Sequence, residues 1–418
     1  MRLLFERKFF PYFCTQFLGA FNDNFLKSAM VILIAFQSAS VFGMPSSQMV
    51  VFAGGIFILP FFLFSATAGQ LADKFEKTFI IRWIKLAEII FMLLAAVGFY
   101  FHQFEFLLIV LFLMGVHSSF FGPIKYSILP QLLKTEGELI AGNALIEGST
   151  FFAILLGTIT GGLLVDIHPL IASVGLILTA IIGWIACLFI PSAPPASPHL
   201  EISRNPFAPT MKILKLAFAN RMITVSIFGI SWFWLFGAAM LSLFPNYVRD
   251  VLHQGPQTVT TFLALFSVGI AIGSVLCSKI SKDKLNLGLV GLGAIGISIF
   301  TFDLWLAGGE MDNRIYADLL LLSTFSGFFI VPLYTLMQNK SAAETRSQTI
   351  AANNILNALF MVAASIILIL LLEFKISIPQ IFAILAVSHL IVFLLLSAIA
   401  PVFLWDFVKW IAPRKPSP

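Results

Sequence analysis

Six charged side chains lie inside long apolar segments in the first half of this sequence. They are Asp23, Lys27, Lys85, Glu88, Lys125 and Glu147. A charge at the lipid-facing centre of a membrane helix costs at least about 2.5–3.5 kcal/mol, so these side chains should face a bundle interior or a polar cavity. For Asp23, Lys125 and Glu147 we favour recognition of a charged ligand. For Lys85 and Glu88, a neutralised pair that only fixes helix packing explains the pattern equally well.

Amide and aromatic side chains take the place of charges in the apolar segments of the second half. Trp234, Asn353 and Asn357 are examples, and Asn24 and Asn143 are amides within the first half. A cavity with one charged wall and one apolar wall suits an amphipathic ligand. The candidate substrate-binding residues are Asp23, Asn24, Lys27, Lys125, Asn143, Glu147, Trp234, Asn353 and Asn357.

Segments long enough to span a membrane fill nearly the whole chain. Of its 418 residues, 59% are hydrophobic and 11% are charged, whereas soluble domains are about 25% charged. This excludes a soluble enzyme, a disordered protein and a nucleic-acid-binding module, and no segment has the period-two alternation of a membrane β-barrel. At about 20 residues per crossing, we predict an all-α membrane protein with twelve transmembrane helices. The predicted ranges are 9–36, 48–72, 79–101, 105–129, 139–166, 169–191, 220–247, 257–280, 285–308, 315–338, 347–372 and 378–411, and the tail 402–411 is predicted to bend along the membrane surface.

Lysines and arginines are distributed unevenly between the two sides of these segments. If the N-terminus is cytoplasmic, 19 of them lie on the cytoplasmic side and only Arg249, Arg314 and Lys375 on the other. Basic residues accumulate in the cytoplasmic loops of membrane proteins. The sequence therefore predicts that both termini are cytoplasmic, and that the net charge of +5 reflects topology and not nucleic-acid binding.

The chain also divides into two similar halves of six segments each. A proline-rich stretch, 191–198, interrupts it, and the segment 211–218 that follows has the pattern of a short amphipathic helix. The first half contains Ala-Gly-Asn-Ala at 141–144, and the second contains Ala-Ala-Asn-Asn at 351–354, 210 residues later. We predict an N-terminal six-helix bundle (1–191), a cytoplasmic linker (192–218) and a C-terminal six-helix bundle (219–418).

A glycine, an aspartate and two lysines follow the second apolar segment at a fixed spacing. Gly69 permits close helix packing, Asp73 stands at a predicted helix end, and Lys74 and Lys77 supply positive charge. This pattern resembles the cytoplasmic signature of the major facilitator superfamily, which is built from two six-helix repeats. The resemblance implies that these four residues take part in gating. Farther along, Gly157 and Gly161 are predicted to form a helix-packing face, with a gate hinge as the alternative.

Three polar motifs in fixed order within apolar segments carry a narrower resemblance. They are Gln-Phe-Leu-Gly-Ala-Phe-Asn-Asp-Asn at 16–24, Phe-Gly-Pro-Ile-Lys-Tyr at 121–126 and Gly-Asn-Ala-Leu-Ile-Glu at 142–147. Together they resemble the bacterial lysophospholipid transporter family. Because residues 231–245 of the seventh segment include no basic residue, the chain looks more like the transporter domain that is fused to a 2-acylglycerophosphoethanolamine acyltransferase in some bacteria.

This resemblance implies a flippase of the bacterial inner membrane. It would move lysophospholipids, with lysophosphatidylethanolamine as the leading candidate, inward by alternating access for reacylation by a cytoplasmic acyltransferase. On this interpretation the chain contacts membrane lipids, works as a monomer and binds no nucleic acid. Asp23, Lys125 and Glu147 fall on polar sites of the family's first, fourth and fifth spans.

Two other functions fit parts of the pattern. The same fold could import or export another amphipathic molecule, such as a siderophore or a drug, because fold does not determine substrate. A membrane-embedded acyltransferase would need a general base or a metal, but the six histidines are scattered and none starts an HxxxxD motif. We therefore predict no enzyme activity, no metal site and no cofactor, and the lack of a GxxxxGK[ST] motif excludes ATP hydrolysis by this chain.

Overall fold

A computed structural model describes residues 2–36, 46–202, 208–282, 284–309 and 311–411, without the side chains of residues 34–36, 46–51, 208, 256, 410 and 411. Three of the 19 lysines and arginines that are predicted to lie on the cytoplasmic side are outside this part of the chain. They are Arg204, Arg414 and Lys415.

The described part of the chain consists mainly of helices joined by short connections, and it contains no strand. Twelve helices of this part have 19 residues or more, and they correspond one to one with the twelve predicted segments. Ten of the twelve are long and apolar enough, over their described residues, to cross a membrane. The helices are α1 (Phe10–Phe36), α2 (Ser46–Lys74), α3 (Lys77–Tyr100), α4 (Phe104–Ser127), α5 (Leu129–Leu132), α6 (Glu136–Ile167), α7 (Pro169–Leu188), α8 (Ala208–Phe218), α9 (Arg221–Asn246), α10 (Pro256–Ser281), α11 (Gly288–Leu306), α12 (Asn313–Lys340), α13 (Arg346–Glu373), α14 (Ile378–Ile399) and α15 (Val402–Ile411).

Helix ends differ from the sequence-based ranges where proline or polar residues stand at a boundary. The last predicted segment is two helices, because α14 ends at Ile399 and Pro401 precedes α15. Helix α6 begins three residues earlier than predicted, so Glu147 lies about three turns from its start rather than two. The amphipathic segment of the linker is the helix α8.

The contacts divide the chain into two compact units. Unit 1 comprises residues 1–133, 152–216 and 342–358, and unit 2 comprises residues 134–151, 217–341 and 359–418. Helix α6 therefore contributes its first part to unit 2 and its second part to unit 1, and α13 contributes its first part to unit 1 and the remainder to unit 2. The predicted division into 1–191, 192–218 and 219–418 follows the internal repeat and stays a prediction.

Unit 1 has an apolar core between α1, α3, α4 and α7. Phe25, Met92, Leu111 and Leu176 are among its fully buried members. Helix α6 approaches α1 closely because it carries glycines at the contact. A Cβ on Gly157 would stand 2.3 Å from the carbonyl oxygen of Phe21. The packing interpretation of this glycine face is therefore the one that the structure supports.

Replacement of Gly157 by alanine is expected to loosen this contact. The new methyl group would meet main-chain atoms of α1, which cannot move aside as a flexible side chain can, and overpacking of this kind costs about 1–3 kcal/mol. Thermal unfolding of purified protein should show a lower midpoint for Gly157→Ala. Gly55→Ala is the matched control, because nothing lies within 4 Å of the added carbon. Equal midpoints for the two variants would contradict the close approach.

Candidate functional site

Asp23 lies half-buried on α1 and is held by a neighbouring helix. The hydroxyl of Ser118 on α4 donates a hydrogen bond to Asp23 Oδ2 at 2.6 Å. The other carboxylate oxygen, Oδ1, is buried without a hydrogen-bond partner among the described residues. Among the described residues, no lysine or arginine lies within ion-pair distance of Asp23. Asp23 Oδ1 can therefore accept a hydrogen bond from a ligand.

A buried ionic cluster adjoins Asp23 in unit 1. Glu88 forms an ion pair with Lys85 on the same helix and with His117 Nε2 of α4 at 3.1 Å. Asn22 of α1 donates to Glu88 Oε1 at 2.9 Å. The side chains of Lys85 and Glu88 are at most 1% exposed. The cluster joins three helices, so the packing interpretation of Lys85 and Glu88 is favoured.

The other predicted binding residues of the first repeat in unit 1, Asn24, Lys27 and Lys125, are half-buried. Asn24 donates its side-chain N–H to the carbonyl of Ala20 within α1. Lys27, four residues after Asp23 on α1, is not within ion-pair distance of any carboxylate that the structure describes. Lys125 Nζ lies 5.2 Å from the ring centroid of Tyr126, a cation–π contact.

Two asparagines of the second repeat also belong to unit 1. Asn353 is fully buried, and in the described part of the chain neither its Oδ1 nor its Nδ2 has a hydrogen-bond partner. Asn357, the repeat counterpart of Glu147, is 7% exposed and lies one turn farther along α13. An unpaired buried amide costs about 1–3 kcal/mol, so Asn353 is a position where an additional polar group would be stabilised.

The remaining predicted binding residues lie in unit 2. Trp234 stacks on Phe151 with ring centroids 5.7 Å apart and donates its Nε1–H to the hydroxyl of Tyr334 at 3.2 Å. Asn143 and Glu147 stand one turn apart on α6 and are both fully buried. The structure thus distributes the predicted site between the two units, with Lys125 in unit 1 and Glu147 in unit 2.

Two of the four predicted gating residues, Gly69 and Asp73, contact the first turns of α13. Asp73 accepts hydrogen bonds from the main-chain N–H groups of Ser347 (3.0 Å) and Gln348 (3.2 Å). A carboxylate at a helix N-terminus is stabilised by the free N–H groups and the helix dipole. A Cβ on Gly69 would stand 2.7 Å from Ala351 Cβ, so only glycine admits this contact.

The two lysines of this motif have different surroundings. Lys77 is almost fully buried, and its main-chain N–H donates to the carbonyl of Ala193 in the linker. Lys74 is half-buried, and its Nζ lies 5.9 Å from the centroid of the Phe75 ring.

Sequence reasoning missed three polar residues that complete these contacts. His117 and Ser118 are adjacent on α4 and connect Glu88 with Asp23, and Gln338 on α12 binds Asn143. The adjacent His-Ser pair inside an apolar segment was a usable signal, because a buried histidine needs a polar partner. Gln338 lies near the end of α12, where polar residues are common, so its presence in the sequence did not indicate a buried contact.

The sequence pattern of the Major Facilitator Superfamily matches residues 12–365 of this chain. The lysophospholipid transporter LplT of Serratia proteamaculans (strain 568) is 31% identical over 351 residues, covering 81% of each chain, and LplT of Enterobacter sp. (strain 638) is 30% identical over 343 residues with the same coverage. This chain belongs to the lysophospholipid transporter family of the major facilitator superfamily.

Solved structures support the fold of this transporter. The human organic anion transporter MFSD10 (TETRAN) matches with a TM-score of 0.76 and 15% identity, covering 93% of this chain and 99% of that one. The Escherichia coli fucose:proton symporter FucP matches with a TM-score of 0.74 and 13% identity, covering 94% of this chain and all of that one. The chain is thus an all-α transporter with the twelve-helix fold of the superfamily, and not an enzyme.

Proposed function

We propose that this transporter moves lysophospholipids inward across the inner membrane of a bacterium, with lysophosphatidylethanolamine as the preferred cargo. The 30–31% identity to transporters named for lysophospholipids, over 81% of the chain, carries the proposal. The transporter works as a monomer by alternating access, and a cytoplasmic acyltransferase consumes its product.

The polar and apolar residues of the described part of the chain fit such a cargo. Asp23 keeps one buried carboxylate oxygen available for the ammonium group of an ethanolamine head group. Lys125 and Lys27 provide positive charge for the phosphate. The half-buried ring of Trp234, which packs against the buried Phe151 and Phe233, offers an apolar surface for an acyl chain.

Transport in proteoliposomes tests the proposal. Purified protein should increase the rate at which radiolabelled lysophosphatidylethanolamine moves between leaflets, and unlabelled lysophosphatidylethanolamine should compete. Diacyl phosphatidylethanolamine is the control lipid and should neither move nor compete. If a siderophore or a drug competes better than any lysophospholipid, the cargo assignment is wrong and the alternative amphipath is favoured.

The orientation of the chain can be tested at two exposed residues. The N–H of Ser197 donates to the carbonyl of Asp73, so the linker lies against the end of α2 and the start of α3. Gln103 follows the far end of α3, about 36 Å away at 1.5 Å per residue. In a background without the native cysteines, we expect Gln103→Cys to react with a membrane-impermeant thiol reagent in intact cells and His199→Cys to be protected. Labelling of His199→Cys together with protection of Gln103→Cys would contradict the prediction and place both termini outside the cytoplasm.

A charge exchange tests the proposed pairing of Lys125 with Glu147. We propose that the two charges neutralise each other without cargo. When cargo binds, the lysine takes the phosphate, and Glu147 takes the amine together with Asp23. Lys125→Glu combined with Glu147→Lys should restore expression relative to either single alanine variant but not transport, because the head group would meet reversed charges. Lys212→Ala, at an exposed lysine of α8, is the control. Normal transport by the exchanged variant would reduce the pair to a structural brace.

A further inference from the structure

The first part of α6 is packed among helices of the second repeat in unit 2. A Cβ on Gly148 would stand 3.0 Å from Ala271 Cα of α10, so the two main chains are close. One turn farther, Phe151 contacts Phe233 and Trp234 of α9 and Phe266 of α10. This segment therefore attaches a first-repeat helix to the second repeat.

A reciprocal amide pair fixes the segment to α12. Asn143 Nδ2 donates to Gln338 Oε1 at 2.6 Å, and Gln338 Nε2 donates back to Asn143 Oδ1 at 3.0 Å. Asn143 Nδ2 also lies 3.1 Å from Thr335 Oγ1. All three side chains have no exposed surface. Buried hydrogen bonds of this kind are strengthened by the low local dielectric and fix one register of the two helices.

The repeat counterpart of this contact is built differently. Asn353, 210 residues after Asn143, lies in the part of α13 that belongs to unit 1. Its amide has no hydrogen-bond partner among the described residues. In unit 1 the contact between repeats is made instead by Asp73 with the N-terminus of α13. The amide pair is therefore particular to unit 2 and does not follow from the repeat.

We propose that Asn143, Gln338 and Thr335 form a clasp that holds α6 against α12 in one state of the transport cycle and releases it in the other. Alternating access moves the two repeats relative to each other, so contacts that join helices of different repeats must break and re-form. The inference rests on alternating access in the proposed function, but not on the identity of the cargo.

The chemistry of the clasp suits a contact that opens repeatedly. Its members are neutral, so separation leaves no unpaired charge in a poorly hydrated place, which is the costly outcome for an ion pair. Asn143 and Glu147 are four residues apart and share one face of α6. Movement of this face therefore displaces the clasp and the candidate head-group carboxylate together.

A disulfide reporter beside the clasp measures whether α6 and α12 stay together. Asn339 Nδ2 lies 3.4 Å from Glu136 Oε1, and both residues are exposed. In a background without Cys14, Cys187 and Cys277, the pair Glu136→Cys and Asn339→Cys should form a disulfide on oxidation in membranes. The initial rate of cross-linking, without any lysophospholipid added, reports the closed fraction.

Loss of the clasp should lower this rate. We expect Asn143→Ala to reduce it by about fivefold, because the buried Gln338 amide would lose both of its hydrogen bonds to Asn143 in the closed state, and one net hydrogen bond changes an equilibrium by about that factor. Thr335→Val, which keeps the side-chain shape, should cause a smaller decrease, and it serves as the test if Asn143→Ala does not fold. Ser326→Ala is the control, because the Ser326 hydroxyl donates to the carbonyl of Leu322 within its own helix.

An unchanged rate in Asn143→Ala, or in Thr335→Val should that be the only variant to fold, would overturn the clasp. This readout does not involve cargo. Failure of lysophosphatidylethanolamine transport would therefore count against the proposed function, and unaltered cross-linking would count against the clasp.

Discussion

Asp23→Asn is expected to abolish transport while the protein still folds and inserts. The substitution keeps an oxygen that can accept the Ser118 hydrogen bond and removes the negative charge. In the described part of the chain this charge has no cationic partner within ion-pair distance, so the proposed counter-ion is the ammonium group of the cargo. Hydrogen bonds to charged groups contribute about 1.5–3 kcal/mol, which corresponds to a loss of roughly tenfold or more in transport rate.

The measurement is uptake of labelled lysophosphatidylethanolamine at matched expression, with size-exclusion chromatography to confirm folding. Glu105→Gln is the matched control, since it removes an exposed carboxylate from α4 in the same unit. Ser118→Ala keeps the charge but frees the carboxylate to rotate, and it should reduce transport less than Asp23→Asn does. Wild-type transport by Asp23→Asn would return this residue to a packing role.

Glu88→Ala is expected to have the largest effect on stability. The carboxylate of Glu88 contacts Lys85, His117 and Asn22, which come from α3, α4 and α1. Its loss would leave Lys85 as a buried charge without a counter-ion. Removing one partner of a buried ion pair typically costs about 3–5 kcal/mol, enough to unfold many proteins.

Thermal unfolding in detergent and the yield of monodisperse protein measure this loss. Glu201→Ala, at an exposed carboxylate of the linker, is the control. The combination Lys85→Met with Glu88→Met should recover much of the stability, because an apolar pair has no desolvation cost. A Glu88→Ala protein as stable as the parent would show that Lys85 finds another partner.

The transport phenotype of the same variants separates the roles of the cluster. His117 Nε2 contacts Glu88, and its Nδ1 lies 3.4 Å from the Ser118 hydroxyl that binds Asp23. If the cluster only fixes packing, the Lys85→Met and Glu88→Met double variant should transport at a rate close to that of the parent protein.

The sequence by itself determined the class of fold, the number of long helices and the family. The fold class and the helix count follow from composition and from the length of the apolar segments, because a backbone within a membrane is satisfied only in helices or closed barrels, and no segment has the alternation of a barrel. The family follows from the resemblance that the three polar motifs carry. The sequence also singled out Asp23, Lys85, Glu88 and Glu147, since the free-energy cost of a charge within an apolar segment indicates a buried pair or a functional site. Such properties are local, and each can be read from a window of about twenty residues.

Only the tertiary structure decided which of these side chains meet. Asp23 and Lys27 are four residues apart, a spacing at which helical side chains can pair, yet Asp23 binds Ser118, which is 95 residues away. Likewise, Asn143 is bound by Gln338, 195 residues later. Hydrogen bonds between helices depend on the rotation and depth of each helix, which the packing of small residues such as Gly69 and Gly157 sets. Hydrophobic periodicity does not encode that depth, because every face of a membrane helix can be apolar.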